Sequence, residues 1–454
     1  MAGTATTVIG TGGQALSLDA RFDRLLSAAA TLAEQARGVE AEPLLRLALR
    51  LRPGVAVIVN RLGTVLFDLG RVEDALACFQ HAAALAPCSA GPWANCGMTL
   101  KTLDRFDEAI ASYNRAVEID PSDGQVRLNR AVALLRAGRM VEAWPDYEQR
   151  LLIQCHGPWL DRLLPTLTAD GPDLTGRSVL VMHEEGFGDT LQFIRYTELL
   201  AARGARVCVA APPELASVLQ TVSGIHSIIE GNAAATGFDY VCPTFSLPRA
   251  LATDLSTVPC RVPYVSADAR LVAHWGTAIR WRDPERLRIG LVWAGQARPW
   301  LPGFTALDSR RSAGLASLAP LAALDAEFVS LQKGAPTNFD SWPGPPLHNP
   351  MSDVRNFADT AALIQHLDVV VSVDTAVVHL AGAMGKPVLM IDRYDSCWRW
   401  LSGRTDSPWY PTVQIFRQSQ PGMWHGVIDA VMRELAMMVV ERGRGQQKIV
   451  RVVE

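Results

Sequence analysis

Nowhere in the 454 residues does Asp-x-Asp occur, so the paired-carboxylate clamp that holds a divalent metal against a diphosphate is missing. None of the eight cysteines stands in a Cys-x-x-Cys pair. Cys78, Cys88, Cys96, Cys155, Cys208, Cys242, Cys260 and Cys397 therefore read as free intracellular thiols rather than zinc ligands or a redox couple. No stretch supplies the ~20 apolar residues of a membrane-spanning helix. Charge of neither sign dominates: 43 Lys and Arg stand against 46 Asp and Glu, a net −3, which suggests neither nucleic acid nor a membrane surface as partner. Met1 to Gly13 is small and polar, with no basic start and no apolar core. Residues 1–21 read as a disordered leader of a cytoplasmic protein.

What is present begins with a repeat. Gly63, Ala75, Phe79, Ala82 and Pro87 recur 34 residues later as Gly97, Ala109, Tyr113, Ala116 and Pro121. This is the tetratricopeptide period with its small, aromatic and proline positions. Ala41, Ala48 and Pro53 mark a degenerate earlier copy, and Gly138, Ala143 and Tyr147 a later one that fades before Pro158. About four helical pairs are expected over residues 22–157. Small residues let the helices of a pair approach and the aromatic fills the gap against the next pair, so that neighbouring copies share one core. Asn95 and Asn129 occupy one repeat position, with Arg61 in the copy before. Their amides either hold the backbone of an extended peptide or simply keep an exposed helix face soluble.

A proline-rich connector, 158–176, follows, with Trp159 and Leu163 expected to anchor it to the repeats. Apolar strands are expected at 179–183, 206–211, 225–229 and 239–242, and again at 288–294, 326–331, 368–373 and 387–391, separated by helical segments. They predict two parallel α/β halves, 177–285 and 286–442, facing each other across a cleft, with a tail at 443–454.

Two strand-to-helix junctions carry chemistry. In the first, Ser178-Val-Leu-Val-Met182 runs through His183 to Gly186-Phe-Gly-Asp189. Gly186 and Gly188 permit a sharp bend and close approach of a ligand, and Asp189 opens a helix. The third glycine of a dinucleotide fingerprint and the Gly-Lys-Ser/Thr of a P-loop are both missing, so neither NAD binding nor ATP hydrolysis is supported. In the second, Val369 to Val373 is apolar enough for the centre of a parallel sheet and stops at Asp374-Thr375, which caps a small-residue helix. The N–H groups near Asp374, Thr375 and Ala376 form an anion site at the sheet's carboxyl edge, with a diphosphate as the expected guest and His379 one turn further on the same face. Such a helix start also serves simply to pack a helix closely on a sheet.

Six ordered blocks bring these features together: Glu185-Gly-Phe-Gly-Asp-Thr-Leu-Gln-Phe-Ile-Arg-Tyr196, Ile289-Gly-Leu-Val-Trp-Ala-Gly295, Ser330-Leu-Gln-Lys-Gly334, Val373-Asp-Thr-Ala-Val-Val-His-Leu-Ala-Gly382, Trp398-Arg-Trp400 and Asp406-Ser-Pro-Trp-Tyr-Pro411. Over roughly residues 56–440 the chain resembles bacterial tetratricopeptide-repeat glycosyltransferases. These are related to the heptosyltransferase-like family nine and, more distantly, to the O-linked N-acetylglucosamine transferases. The resemblance implies an α plus α/β protein, a helical solenoid followed by a GT-B pair of Rossmann-like domains, with acceptor chemistry on the first half and the sugar nucleotide mainly on the second. It implies transfer from a nucleotide-diphosphate sugar with no cofactor and no metal, helix N-termini and cations replacing the clamp. The acceptor is a protein or peptide, flagellin-like in some relatives, held by the repeats. Alternatives are a transferase for a surface polysaccharide or lipid-linked glycan, and a repeat scaffold that has lost turnover.

On that resemblance Asp189 is the base, or else a helix cap. His379 and Lys333 assist on the leaving-group side, with Arg310 and Arg311 as further cations or plain surface charge. Gly186, Gly188, Gly295, Gln332, Asp374, Thr375, Ala376 and Gly382 surround the nucleotide sugar. Gln192 and Arg195 shape the acceptor pocket, and Asn95 and Asn129 hold the acceptor polypeptide. Trp398 and Trp400 either stack on a sugar or base or are packing, and His183 is either structural or catalytic. The chain departs from its relatives at Gln296 (usually Asn), in the Ala297 to Asp308 loop, at Cys397 (usually Asp) and at Met423 within a usual Gly-Asp-Trp.

Overall fold

The computed structural model describes residues 17–153, 157, 159–168, 171–231, 233–296, 308–334 and 339–453. The chain divides into two compact units, Met1–Ala133 and Leu134–Glu454.

The first unit is built of antiparallel helix pairs: α1 (Leu18–Glu34) with α2 (Gly38–Leu51), α3 (Ala56–Asp68) with α4 (Val72–Leu85), and α5 (Ala90–Thr102) with α6 (Phe106–Ile119). The 34-residue period has a direct steric cause. A Cβ on Gly63 would lie 2.6 Å from Cε1 of Phe79, and one on Gly97 would lie 2.8 Å from Cγ of Tyr113. Each ring therefore lies flat on the glycine of its partner helix, and both aromatics are wholly buried. A further periodic position emerges at the start of every second helix. Arg37, Arg71, Arg105 and Arg139 pair with Glu40, Asp74, Glu108 and Glu142 at 2.6 Å in each case. These exposed pairs contribute little stability, but they mark the same turn in all four copies, the degenerate first one included.

The leader assigned to residues 1–21 needs correction at its end. Ser17 accepts the Ala20 N–H at 3.1 Å, a helix cap that sets Leu18 to Arg21 in α1; residues 1–16 lie outside the described residues. The division at Ala133 falls inside α7 (Gly124–Arg136), short of the residue 157 at which the repeats were expected to end. The helices that follow, α8 (Met140–Tyr147) and α9 (Gln149–Ile153), pack with the second unit. Trp144 donates to the Thr253 carbonyl at 2.7 Å, and Arg150 forms a buried ion pair with Glu184 at 2.8 Å. The connector does likewise. Trp159 packs with Leu151 of α9, inside the interval expected for the repeats, and with Val241, while Leu163 pairs with Val241, so the connector is anchored on α9 and on the sheet edge.

Two parallel sheets organise the second unit. The first runs β3 (Ile225–Glu230), β2 (Arg206–Ala211), β1 (Ser178–Met182), β4 (Tyr240–Pro243). The second runs β10 (Val413–Arg417), β9 (Val388–Asp392), β8 (Val369–Val373), β5 (Leu287–Val292), β6 (Ala326–Ser330), β7 (Leu347–His348). Every residue of β6, β8 and β9 is buried, as central parallel strands covered on both faces require. In the first sheet the chain steps outward from β1 to β2 and β3 and then returns to β1's other side with β4. In the second it steps outward from β5 to β6 and β7 and returns with β8. Loops after β1, β5 and β8 therefore lie at the switch points, where α/β sheets open a crevice for ligands. Helix α10 (Phe187–Phe193) follows β1, α11 to α14 (Tyr196–Ala201, Pro213–Leu219, Leu247–Ala250 and Ala269–Ala278) complete the first half, and α15 (Phe357–Gln365), α16 (Ala376–Ala383) and α17 (His425–Val453) belong to the second. The interval 443–454, expected as a tail, continues α17 as far as Val453.

Candidate functional site

The site grows from two helix starts. After β1, Glu184 is held by Arg150 and Glu185 turns the chain at φ +64°, a left-handed conformation unusual for a residue with a side chain. Gly186 then caps α10, and its N–H donates to Oδ2 of Asp189 at 2.9 Å. The cap geometry is thus present. The other oxygen, Oδ1, accepts a charge-assisted hydrogen bond from Nη2 of Arg399, which comes from the second half of the unit. Burial pushes the Asp189 carboxyl above the ordinary carboxylate range while Arg399 pulls it back. Burial works most strongly against the charge on Arg399, but Asp189, Cys397, Tyr147 and Asp374 together outweigh it, and the guanidinium stays protonated.

The second helix start is α16. Thr375 takes the N-cap position with extended backbone, φ −142° and ψ 172°, but its hydroxyl bonds Ser372 Oγ at 3.2 Å and caps nothing. Asp374, Thr375 and Ala376 are half-buried at the carboxyl edge of the sheet. Gly188 brings the two starts together, because a Cβ there would lie 2.6 Å from Cδ2 of His379 and 3.2 Å from Cα of Ala376. Asp189 is the next residue along. A carboxylate, a guanidinium and a helix N-terminus without a side-chain cap consequently converge where the two carboxyl edges meet.

Several expected roles change. Gly188 was expected to admit a ligand and instead admits α16; Gly382 does the same for Tyr410, whose Cδ1 would be 2.7 Å from a Cβ, and the space beside Gly295 is filled by the Arg311 guanidinium. Gly186 stands apart, with only Asp189 Oδ2 near its open side. His379 supplies no charge. It is buried between Trp400, stacked at 5.2 Å, and Tyr410, whose hydroxyl meets Nδ1 at 3.0 Å, and burial drives its pKa down to about 3 despite Asp374 at 4.0 Å.

Gln332 has no capacity left for a nucleotide. Its Oε1 accepts the Trp293 and Ala294 N–H groups at 3.1 and 2.9 Å, and its Nε2 donates to the Ala294 and Lys333 carbonyls at 3.0 and 3.2 Å, so it clamps the ends of β5 and β6. Lys333 is exposed and donates to the Val354 carbonyl at 2.6 Å. It lies three residues beyond the end of β6, a strand two places from β8, or about 10 Å along the sheet. Arg310 pairs with Asp395 at 3.2 Å and Arg311 with Asp308 at 3.0 Å.

The expected acceptor residues, Gln192 in α10 and Arg195 just beyond it, are buried. Arg195 donates to the carbonyls of Gln192, Pro259 and Trp409 and to the Tyr264 hydroxyl at 2.6 to 3.0 Å, joining the two halves rather than lining a pocket. Gln192 is fully buried, and neither amide atom has a partner among the described residues. In the repeats, Asn95 donates to Asn60 Oδ1 at 3.0 Å and Asn129 accepts from Gln125 at 3.3 Å; both are half-buried. Trp398 and Trp400 are packing residues, the former set among Trp144, Tyr147 and Phe193 at 5.8 to 6.3 Å. His183, likewise, bonds Thr190 Oγ1 at 2.7 Å beneath α10.

Arg399 is the residue that sequence reasoning missed. Its signal was an arginine between two tryptophans: a charge enclosed by aromatics needs a counter-charge, and the partner lies 210 residues away.

Comparison with known proteins finds likeness in both the repeats and the second parallel sheet. Tetratricopeptide-repeat models match residues 54–122 and 97–157, and a glycosyltransferase family 9 (heptosyltransferase) model matches residues 355–426, the segment that holds β8, α16 and Arg399. The protein FlbA of Caulobacter vibrioides is 27% identical over 448 residues, covering 90% of this chain and 72% of that protein. Among solved structures, MamA is 20% identical over 30% of this chain and 86% of its own, with a TM-score of 0.28. A tetratricopeptide repeat protein from Parabacteroides merdae is 18% identical over 30% and 55%, again at 0.28. The chain joins tetratricopeptide repeats to a glycosyltransferase family 9 (heptosyltransferase) domain, and is a glycosyltransferase.

Proposed function

We propose that this glycosyltransferase takes its sugar from a nucleoside-diphosphate donor and passes it to a polypeptide held by the repeats, without a divalent metal. The observation that carries the reading is the meeting of Asp189 with the start of α16 through Gly188. A helix N-terminus attracts phosphate through its free N–H groups and its dipole, and here a basic carboxylate stands beside it. The diphosphate lies on the N–H groups at Thr375 and Ala376. Asp189 takes the proton of the acceptor hydroxyl as that oxygen bonds the anomeric carbon. The bond from carbon to phosphate oxygen breaks, and the nucleoside diphosphate leaves with the electron pair.

Lys333, exposed at the same sheet edge, adds positive charge on the leaving side. The neutral His379 ring, held by Trp400 and Tyr410, fixes α16 in place rather than acting as an acid. The absence of Asp-x-Asp from the sequence favours the metal-free route, in which helix termini and cations meet the phosphate charge. Asn95 and Asn129, at one repeat position, supply amides to an extended acceptor.

A thermal-shift screen with UDP, GDP, ADP, dTDP and their sugars, run with and without EDTA, tests the reading. A ligand at ~100 times its dissociation constant adds about 2.7 kcal/mol of stability, an easily read shift. One nucleotide family should stabilise the protein equally in both conditions. Stabilisation by none of them would remove the nucleotide donor, and stabilisation that EDTA abolishes would remove the metal-free route.

A further inference from the structure

Arg399 is bound less completely than a buried guanidinium demands. It lies in the Trp398–Trp400 turn, where Trp398 stacks on Phe193 and Trp400 on His379, so its backbone is held on both sides. The side chain is 12% exposed. Of its five N–H donors, one at Nη2 meets Asp189 and one at Nη1 meets the Cys397 sulfur at 2.8 Å, a weak acceptor. The buried Nε has no partner among the described residues. Buried polar groups are nearly always satisfied, and one that is not calls for an explanation.

The position supplies it. Trp400, next in the chain, stacks on His379 in α16, and Gly188, the neighbour of Asp189, touches Ala376 at the start of that helix. A diphosphate on the α16 N-terminus would otherwise stand beside Asp189 and Asp374 with little to separate like charges. A guanidinium forks onto phosphate more readily than any other side chain, and a diphosphate offers more charge than one carboxylate. Meanwhile Asp189 has an N–H donor on one oxygen and Arg399 on the other, and a carboxylate tied to a guanidinium is a weakened base.

We infer that Arg399, ion-paired with Asp189, is a ligand of the donor diphosphate, so that arrival of the donor moves the guanidinium onto phosphate and frees Asp189 as a base. The inference rests on the proposed nucleoside-diphosphate donor. It makes donor binding precede activation of the acceptor. No covalent bond changes in the exchange; one ion pair replaces another.

Titration calorimetry with inorganic pyrophosphate, UDP, GDP, ADP and dTDP tests it on the full chain. Asp189→Asn should tighten the diphosphate that binds wild type by about tenfold or more, because Arg399 no longer has a carboxylate to leave. Arg399→Gln should weaken it by a similar factor, and adding Asp189→Asn to that variant should bring no further gain. Arg399→Lys, which keeps a charge for Asp189 but loses the fork, should fall between Gln and wild type. An Asp189→Asn protein that binds with wild-type affinity overturns the exchange even if Arg399→Gln fails to fold. So does an Arg399→Gln protein that binds as wild type does. Wild type that binds none of the probes overturns the donor reading itself, an outcome distinct from the other two.

Discussion

Gly188 and His379 touch where α10 meets α16, so closely that a methyl group on Gly188 would lie 2.6 Å from the imidazole Cδ2. His379 cannot retreat, being stacked on Trp400 and bonded to Tyr410. Gly188→Ala should therefore force the two helix starts apart, costing about 1–3 kcal/mol of stability by overpacking. Turnover should fall further than the unfolded fraction accounts for, because Asp189 moves with Gly188. Urea denaturation together with nucleotide-sugar turnover checks this, and wild-type values for both would show that the contact is slack.

In the repeats, Tyr113 lies on Gly97 with its hydroxyl buried and without a partner among the described residues, and burial raises that hydroxyl's pKa. Tyr113→Phe should leave stability unchanged or raise it by about 1 kcal/mol, since a buried hydroxyl without a hydrogen bond is a cost removed. Gly97→Ala should lower it by about 1–3 kcal/mol. Thermal melts of the two variants separate the contributions of ring and hydroxyl.

His379 bears on the pH dependence of stability. Its folded pKa is depressed by burial to about 3, against about 6.5 for an unperturbed histidine. Between these values the unfolded chain binds a proton that the folded chain refuses, so the stabilising contribution is complete above about pH 6.5 and is lost as pH falls towards 3. His379→Phe keeps a ring against Trp400 and removes the titration. Its stability, followed by urea denaturation from pH 7 to 4, should decline less steeply than that of wild type. Parallel curves would place the acid sensitivity elsewhere.

Much of the fold was legible because the physics behind it is local. Runs such as Val369 to Val373 exceed what a half-exposed strand tolerates, and eight strands were anticipated close to where they form. The two that escaped have clear reasons. Leu347–His348 is too short for any periodicity, and Val413–Arg417 alternates at an edge, where Gln414 is exposed and Ile415 buried. The helical period of the repeats could be read because Gly97 and Tyr113 must change together, whereas the site depended on partners distant in sequence. Nothing local to Glu184 announces Arg150, and nothing local to Asp189 announces Arg399. The same limit misplaced Arg195 and Gln332, whose residue types suit a ligand but whose donors and acceptors are already engaged with the backbone.

The most direct test of the account is the rate at which Asp189→Asn releases nucleoside diphosphate from the nucleotide sugar identified in the screen, with water as acceptor. The amide keeps the shape of the carboxylate but cannot take a proton. Turnover should fall by about 100-fold or more while donor binding is undiminished. An Asp189→Asn enzyme that hydrolyses its donor at the wild-type rate would contradict the account and leave Asp189 as a helix cap.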